Sequence, residues 1–137
     1  MSRTTQQMRN VAARLIACEM NAAHSSEATL PAAARVLEKL RPQLATMMGS
    51  AGFRAVLARS LALAAAKDHS LAAVELKEND TLEGWKRLEE QEGAERVTES
   101  SVLLVTQLLG LLTAFIGDNL TLRLVRNVWP KLPLEDL

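Results

Sequence analysis

The sequence predicts an all-α protein: a compact, single-domain bundle of about five helices around one central apolar helix. Three observations support this fold class. Aromatic residues are only 3% of the chain and tyrosine is absent, although 48% of the residues are hydrophobic. A core of Leu, Ala, Val and Met suits packed helices better than sheets. Apolar residues recur at helical spacing, and residues 102–116 are apolar on every side of any helix they form.

Length and charge narrow the class of protein further. At 137 residues the chain has the size of one domain, so we expect residues 1–137 to form a single helical domain. Sixteen basic residues balance sixteen acidic ones, so nucleic acid and anionic membrane surfaces are disfavoured as partners. The single cysteine, Cys18, cannot form an internal disulfide. Together with an N-terminus that lacks the apolar stretch of a signal peptide, this predicts a cytoplasmic location.

The first helix is predicted to begin near Thr4 or Thr5 and to end near Ala23. Its stripe at helical spacing consists of Met8, Val11, Ala12, Leu15, Ile16, Cys18 and Glu19. A polar loop follows. Pro31 marks the start of the second helix, because proline at the first helical position gives up an N–H that had no partner.

Pro42 is predicted to interrupt the second helix, because proline disfavours the helical conformation of the residue before it and removes a backbone donor. A short helical piece over 43–48 follows, with Gly49 as its C-cap. Ser50 can cap the next helix. That helix has the clearest apolar stripe in the chain, formed by Phe53, Val56, Leu57, Ser60, Leu61 and Ala64.

The middle of the chain alternates between apolar and polar residues, which predicts a small β-hairpin near 74–85. Residues 86–97 are mostly charged, and we interpret them as a solvated connector or an exposed helical turn. The central helix then starts near Thr98 and ends at Gly117. A last helix begins at Asp118 or Asn119 and ends before Pro130.

The apolar helix over 102–116 must be covered by other helices, by a partner chain or by lipid. About fifteen residues at roughly 1.5 Å each span some 22 Å, which is short of the roughly 30 Å of a bilayer's hydrocarbon region. Glu99 and Asp118 limit any extension. The length therefore favours the core helix of a bundle, with a membrane-associating protein that releases this helix to lipid as the alternative.

Four residues are predicted to form an interface. Gly110 costs about 1 kcal/mol against alanine in a helix interior, which calls for a reason. With Thr106 and Ala114 it forms a row of small residues that lets another helix, internal or from a second copy, approach closely. Trp85 and Trp129 stand at the edges of elements, where a large ring is hard to bury fully. The interface prediction is therefore Trp85, Gly110, Ala114 and Trp129.

Residues 43–59 have the alanine and glycine spacing of a DNA-binding helix-turn-helix. The second helix would offer the DNA groove only Ser50, Ala51, Gly52 and Arg54, too few long donors to read base edges, and the chain has no excess positive charge. An ordinary helical corner is the favoured interpretation of this segment.

Catalytic candidates are few. Cys18 and His24 lack an orienting third group, and Ser50 lacks the preceding strand of a nucleophile elbow. Asp68 and His69 are adjacent in sequence and rarely point the same way. Metal-binding histidine spacings and glycine-rich phosphate loops are absent from the sequence, so no metal or cofactor is predicted. The acidic cluster Glu89, Glu90, Glu92 and Glu95 is interpreted as a solvated face.

These observations predict a non-catalytic protein–protein interaction or oligomerisation module, with a regulatory role as one form of it. The expected partner is another protein or, more specifically, a second copy of the chain. Membrane association is the second hypothesis. A DNA-binding protein and a small thiol or serine enzyme are the third.

Overall fold

The computed structural model describes residues 3–22 and 31–132. Within these ranges the chain forms five α-helices, one 3₁₀ turn (His69–Ala73) and one two-stranded hairpin. The helices are α1 (Arg3–Ala22), α2 (Ala32–Lys67), α3 (Trp85–Glu92), α4 (Ala94–Ile116) and α5 (Asp118–Val128). The predicted all-α class, with about five helices around an apolar one, is confirmed.

The central helix of the bundle is α4, which packs against all four other helices. Its inward side chains include Leu104, Leu108, Leu109 and Leu112, each with no exposed surface. Burying an aliphatic side chain of this size contributes about 1.5–3 kcal/mol, so this side of α4 organises much of the hydrophobic core. The predicted end of the central helix at Gly117 is confirmed, whereas its start lies at Ala94, earlier than the predicted Thr98.

The predicted interruption at Pro42 is wrong, because α2 continues through this residue. Leu40 and Leu44, on either side of the proline, are fully buried, and their packing holds the helix together despite the missing backbone donor. The helix bends instead at Gly49, whose φ of 77° and ψ of 165° lie outside the helical region. Glycine adopts a positive φ without a steric penalty, so the predicted boundary at Gly49 is confirmed.

The predicted hairpin is also confirmed: β1 (Glu75–Leu76) pairs antiparallel with β2 (Leu82–Glu83). Two strands of two residues are marginal on their own. Both halves of α2 hold the turn of the hairpin, because Arg41 donates to the Asp80 carbonyl at 2.7 Å and Arg54 donates to the Asp80 carboxylate at 2.8 Å. The hairpin therefore depends on tertiary contacts with the α2 corner.

The charged segment 86–97, interpreted as a solvated connector or an exposed helical turn, is largely helical. It contains most of α3 and the first turn of α4, joined at Gly93. Most of its side chains are exposed as expected, but Leu88 is fully buried, as is nearly all of Trp85 at the start of α3. Two apolar residues on one side of a short helix are enough to attach it to the bundle.

Candidate interaction surface

One side of α4 remains open to solvent. Leu103, Gln107, Gly110 and Ala114 follow one another at spacings of four, three and four residues, so they lie in one stripe along the helix. Gly110 and Ala114 are exposed, and Leu103 and Gln107 are half-buried. Leu111 lies beside the stripe, and Phe115 is exposed in the last turn of the helix. We call these six residues the α4 outer face.

Apart from Gln107, the α4 outer face carries no polar side chain, whereas the exposed side of a surface helix is normally polar. Phe115 is 69% exposed, and Leu120, just past the corner between α4 and α5, is 43% exposed. Single exposed apolar residues are ordinary on protein surfaces, but a contiguous apolar row often marks an interaction site.

Gly110 has no structural reason within the described part of the chain. A Cβ atom added at this position would meet no heavy atom within 4 Å. The internal helix that the sequence allowed as a neighbour is therefore not in contact there. Thr106, the third member of the predicted small-residue row, is buried, and its hydroxyl donates to the Val102 carbonyl at 2.7 Å. The open part of the row is thus Gly110 with Ala114.

Trp85 and Trp129 are buried, unlike Gly110 and Ala114. Trp85 and Trp129 are each only 5% exposed, so the expectation that large rings at element edges are hard to bury is not met. The Trp85 indole N–H is buried without a hydrogen-bond partner among the described residues, whereas that of Trp129 donates to Glu19 at 2.9 Å. The structure brings Gly110 and Ala114 together on one face and places both tryptophans in the core.

A wholly buried carboxylate lies where α1, α2 and the end of α5 meet. Glu19 Oε2 accepts hydrogen bonds from Lys39 Nζ at 2.5 Å and Trp129 Nε1 at 2.9 Å, and Arg35 Nε lies 3.4 Å from Oε1. Burial by itself raises the pKa of Glu19. The hydrogen bonds from Lys39 and Trp129 and the charges of Lys39 and Arg35 outweigh burial, so the pKa lies below its ordinary value of 4.5.

The buried cluster around Glu19 was not predicted from the sequence. The available signal was Glu19 itself, which occupies the apolar stripe of the first helix at helical spacing. A carboxylate on a core-facing stripe needs cationic or hydrogen-bonding partners. Those partners lie 16 to 110 residues further along the chain, so the sequence could not identify them.

Asp68 joins the end of α2 to α4 and does not act as an orienter for a histidine base. Its carboxylate accepts hydrogen bonds from Ser100 Oγ at 2.5 Å and from the backbone and side chain of Ser70, while His69 is exposed. Burial raises the pKa of Asp68. The hydrogen bonds from Ser100 and Ser70 and the charge of Arg96 more than compensate, so the pKa is lowered. Asp68 therefore caps the 3₁₀ turn and links the end of α2 to α4 through Ser100.

The remaining catalytic candidates do not converge. Cys18 is half-buried, Ser50 is exposed, and His24 lies outside the described residues. An open groove of about 720 Å³ lies between α1, α3 and α4, and Met20, Trp85 and Glu89 are among its lining residues. In residues 3–22 and 31–132, no group of three or more His, Cys, Asp or Glu side chains is arranged to hold a metal ion.

The predicted helix-turn-helix segment, 43–59, is the corner of α2 at Gly49. Arg54 is the one long donor among the four residues that would face the DNA groove. Its guanidinium instead binds the hairpin, where it donates to the Lys77 carbonyl at 2.7 Å and to Asp80 at 2.8 Å. A side chain committed to two internal acceptors is not free to read base edges.

Among the described helices, α4 is long and apolar enough to cross a membrane by length and composition. In the most apolar 18-residue window of α4, 44% of the residues are buried inside the protein. The core helix of a soluble bundle satisfies the same criteria of length and composition.

Comparison with known proteins does not identify a relative. No protein family matches the chain, and neither a curated protein nor a solved structure shows significant similarity to it. A function can therefore be inferred only from the molecule itself, and the α4 outer face is its most informative surface.

Proposed function

We propose that this protein is a non-catalytic interaction module that associates with a second copy of itself through the α4 outer face. The observation that carries the proposal is the open space around Gly110: a glycine in the middle of an exposed, apolar helix face that no part of the described chain approaches. A helix gains about 1 kcal/mol when such a glycine is replaced by alanine, so keeping glycine is explained by close approach of another helix.

A second copy suits this face because the stripe repeats at spacings of four and three residues. This is the pattern with which two helices pack side chains into each other's gaps. Gly110 and Ala114 would allow the two backbones to approach, while Leu103, Leu111 and Phe115 would supply apolar contact area. A symmetric dimer uses the same patch twice, so one self-complementary face is sufficient.

The test is the mass of the protein in solution, measured by light scattering over a concentration series. We expect a dimer or larger assembly that dissociates on dilution. Ala114→Glu places a charge on the α4 outer face without disturbing the core. It should give a monomer with the melting temperature that the wild type shows when diluted to the monomer. Ala62→Glu, on an exposed position of α2, is the matched control and should associate like the wild type. A wild-type protein that is monomeric at all concentrations contradicts the self-association proposal.

Membrane association is the second candidate, because α4 combines the length of a span with an outer face that is already exposed. It predicts that the protein floats with liposomes and that Ala114→Glu reduces the bound fraction. A wild-type protein that stays with the unbound fraction at low and high lipid concentration excludes this alternative.

A further inference from the structure

The last helix is attached to the bundle through one side only. In α5 the buried side chains are Thr121, Leu124 and Val125, and Trp129 follows directly after the helix. The opposite side, with Asn119, Leu120, Arg123, Arg126 and Asn127, is exposed. We call residues 118–132 the α5 strap. Its attachment is small compared with that of α2, which has ten buried side chains.

A buried hydrogen bond ties the end of the strap to the bundle. It runs from Trp129 Nε1 to Glu19 Oε2 on α1, at 2.9 Å. The acceptor does not depend on the strap alone for its position, because Lys39 and Arg35 on α2 pair with the same carboxylate. The acceptor for the indole N–H therefore persists when the strap leaves.

The other end of the strap is a single-residue connection. Gly117 joins α4 to α5 with a φ of 86°, and no heavy atom of the described part of the chain would lie within 4 Å of a Cβ there. Residues that connect two elements without side-chain packing are the positions at which rigid units rotate.

We propose that the α5 strap is a latched unit that opens about Gly117 while the rest of the bundle stays folded, and that the bond between Trp129 and Glu19 is its latch. Opening uncovers the part of α4 that α5 packs against, which adds apolar surface to a helix whose outer face is already exposed. The strap is therefore a device that controls how much of α4 is accessible. This inference does not depend on whether the α4 outer face binds a second copy.

Hydrogen exchange measured by mass spectrometry tests the proposal on the full chain. In the wild type, amides of α5 should exchange at least roughly tenfold faster than the central amides of α4, because subglobal opening is cheaper than global unfolding. Trp129→Phe keeps an aromatic ring and removes the indole N–H. It should accelerate exchange in α5 by a further factor of about ten and leave α2 and α4 unchanged.

Trp85→Phe is the matched control, because the Trp85 indole N–H has no hydrogen-bond partner in residues 3–22 and 31–132. It should leave α5 exchange at the wild-type rate. Equal protection of α5 and α4 in the wild type overturns the separate opening of the strap, and this comparison requires no variant. Trp129→Phe that leaves α5 exchange unchanged, or accelerates all helices equally, overturns the latch.

Discussion

Replacement of Gly110 by alanine is expected to change folding stability and self-association in opposite directions. The new methyl group meets no heavy atom of the described residues within 4 Å, so it introduces no clash with them. Alanine in a helix interior is favoured over glycine by about 0.8–1 kcal/mol, because glycine loses more conformational freedom on folding. The monomer should therefore gain about 1 kcal/mol, which for a domain of this size is an increase of roughly 3–4 °C in melting temperature.

The same methyl group should weaken the dimer. If two α4 outer faces pack with Gly110 at their closest approach, the methyl group forces the helix backbones apart and removes contacts on both copies. A loss of about 1.4 kcal/mol raises the dissociation constant tenfold, and two methyl groups at a symmetric interface should exceed this. Stability increases while affinity decreases, a combination that general damage to the protein cannot produce.

Two measurements on the same samples separate these effects. Urea unfolding at a concentration low enough for the monomer gives the free energy of unfolding, and sedimentation equilibrium gives the dissociation constant. The control is Ala62→Gly on an exposed position of α2, which should lose about 1 kcal/mol of stability and associate normally. If Gly110→Ala has a lower free energy of unfolding than the wild type, the environment of Gly110 is not open. A stabilised variant with unchanged association refutes the α4 outer face as the interface.

Two further predictions concern the construction of the bundle. At Gly84 φ is 108°, and a Cβ would lie 2.0 Å from the Ala73 carbonyl oxygen. Gly84→Ala should therefore lose roughly 2 kcal/mol more of unfolding free energy in urea than Gly93→Ala, because Gly93 has a similar φ of 94° but open space around it among the described residues. Similar losses in the two variants would contradict the close approach at Gly84. Glu19→Gln should cost about 2 kcal/mol at pH 7. Because the folded pKa of Glu19 lies below 4.5, its stabilisation is present above pH 4.5 and is lost as the pH falls through the folded value. The gap between variant and wild type should therefore shrink at pH 3, and a constant gap would assign the loss to packing instead of charge.

The fold was predictable where local chemistry determines it. The apolar run over 102–116 identified α4, and the Gly117-Asp118 junction identified the corner after it. Pro42 shows the limit of such rules, because the burial of Leu40 and Leu44 outweighs the local preference of a proline. Residues 86–97 show the same limit. Their composition is that of a solvated segment, yet Leu88 is fully buried because α3 packs against α4.

The candidate site was predictable only in part. Gly110 and Ala114 were identified because a glycine in an apolar helix calls for a reason at its own position. Trp85 and Trp129 were assigned to an interface from the size of the ring, and size cannot show whether a pocket for the ring exists elsewhere in the chain. The pocket for Trp129 includes Glu19, 110 residues away in sequence. Contacts of this separation depend on the tertiary fold, which no local pattern encodes.

The apolar character of α4 has two separate physical explanations, one for each side of the helix. Leu104, Leu108 and Leu112 are apolar because the bundle closes around them, and any soluble helical domain needs such residues. Burial in the core does not explain Gly110 and Ala114, because both residues are exposed to solvent. A polar residue at either position would make α4 an ordinary amphipathic helix at no cost to the core. The absence of polar residues there is the feature that folding alone does not explain, and for this reason the functional proposal is built on the α4 outer face.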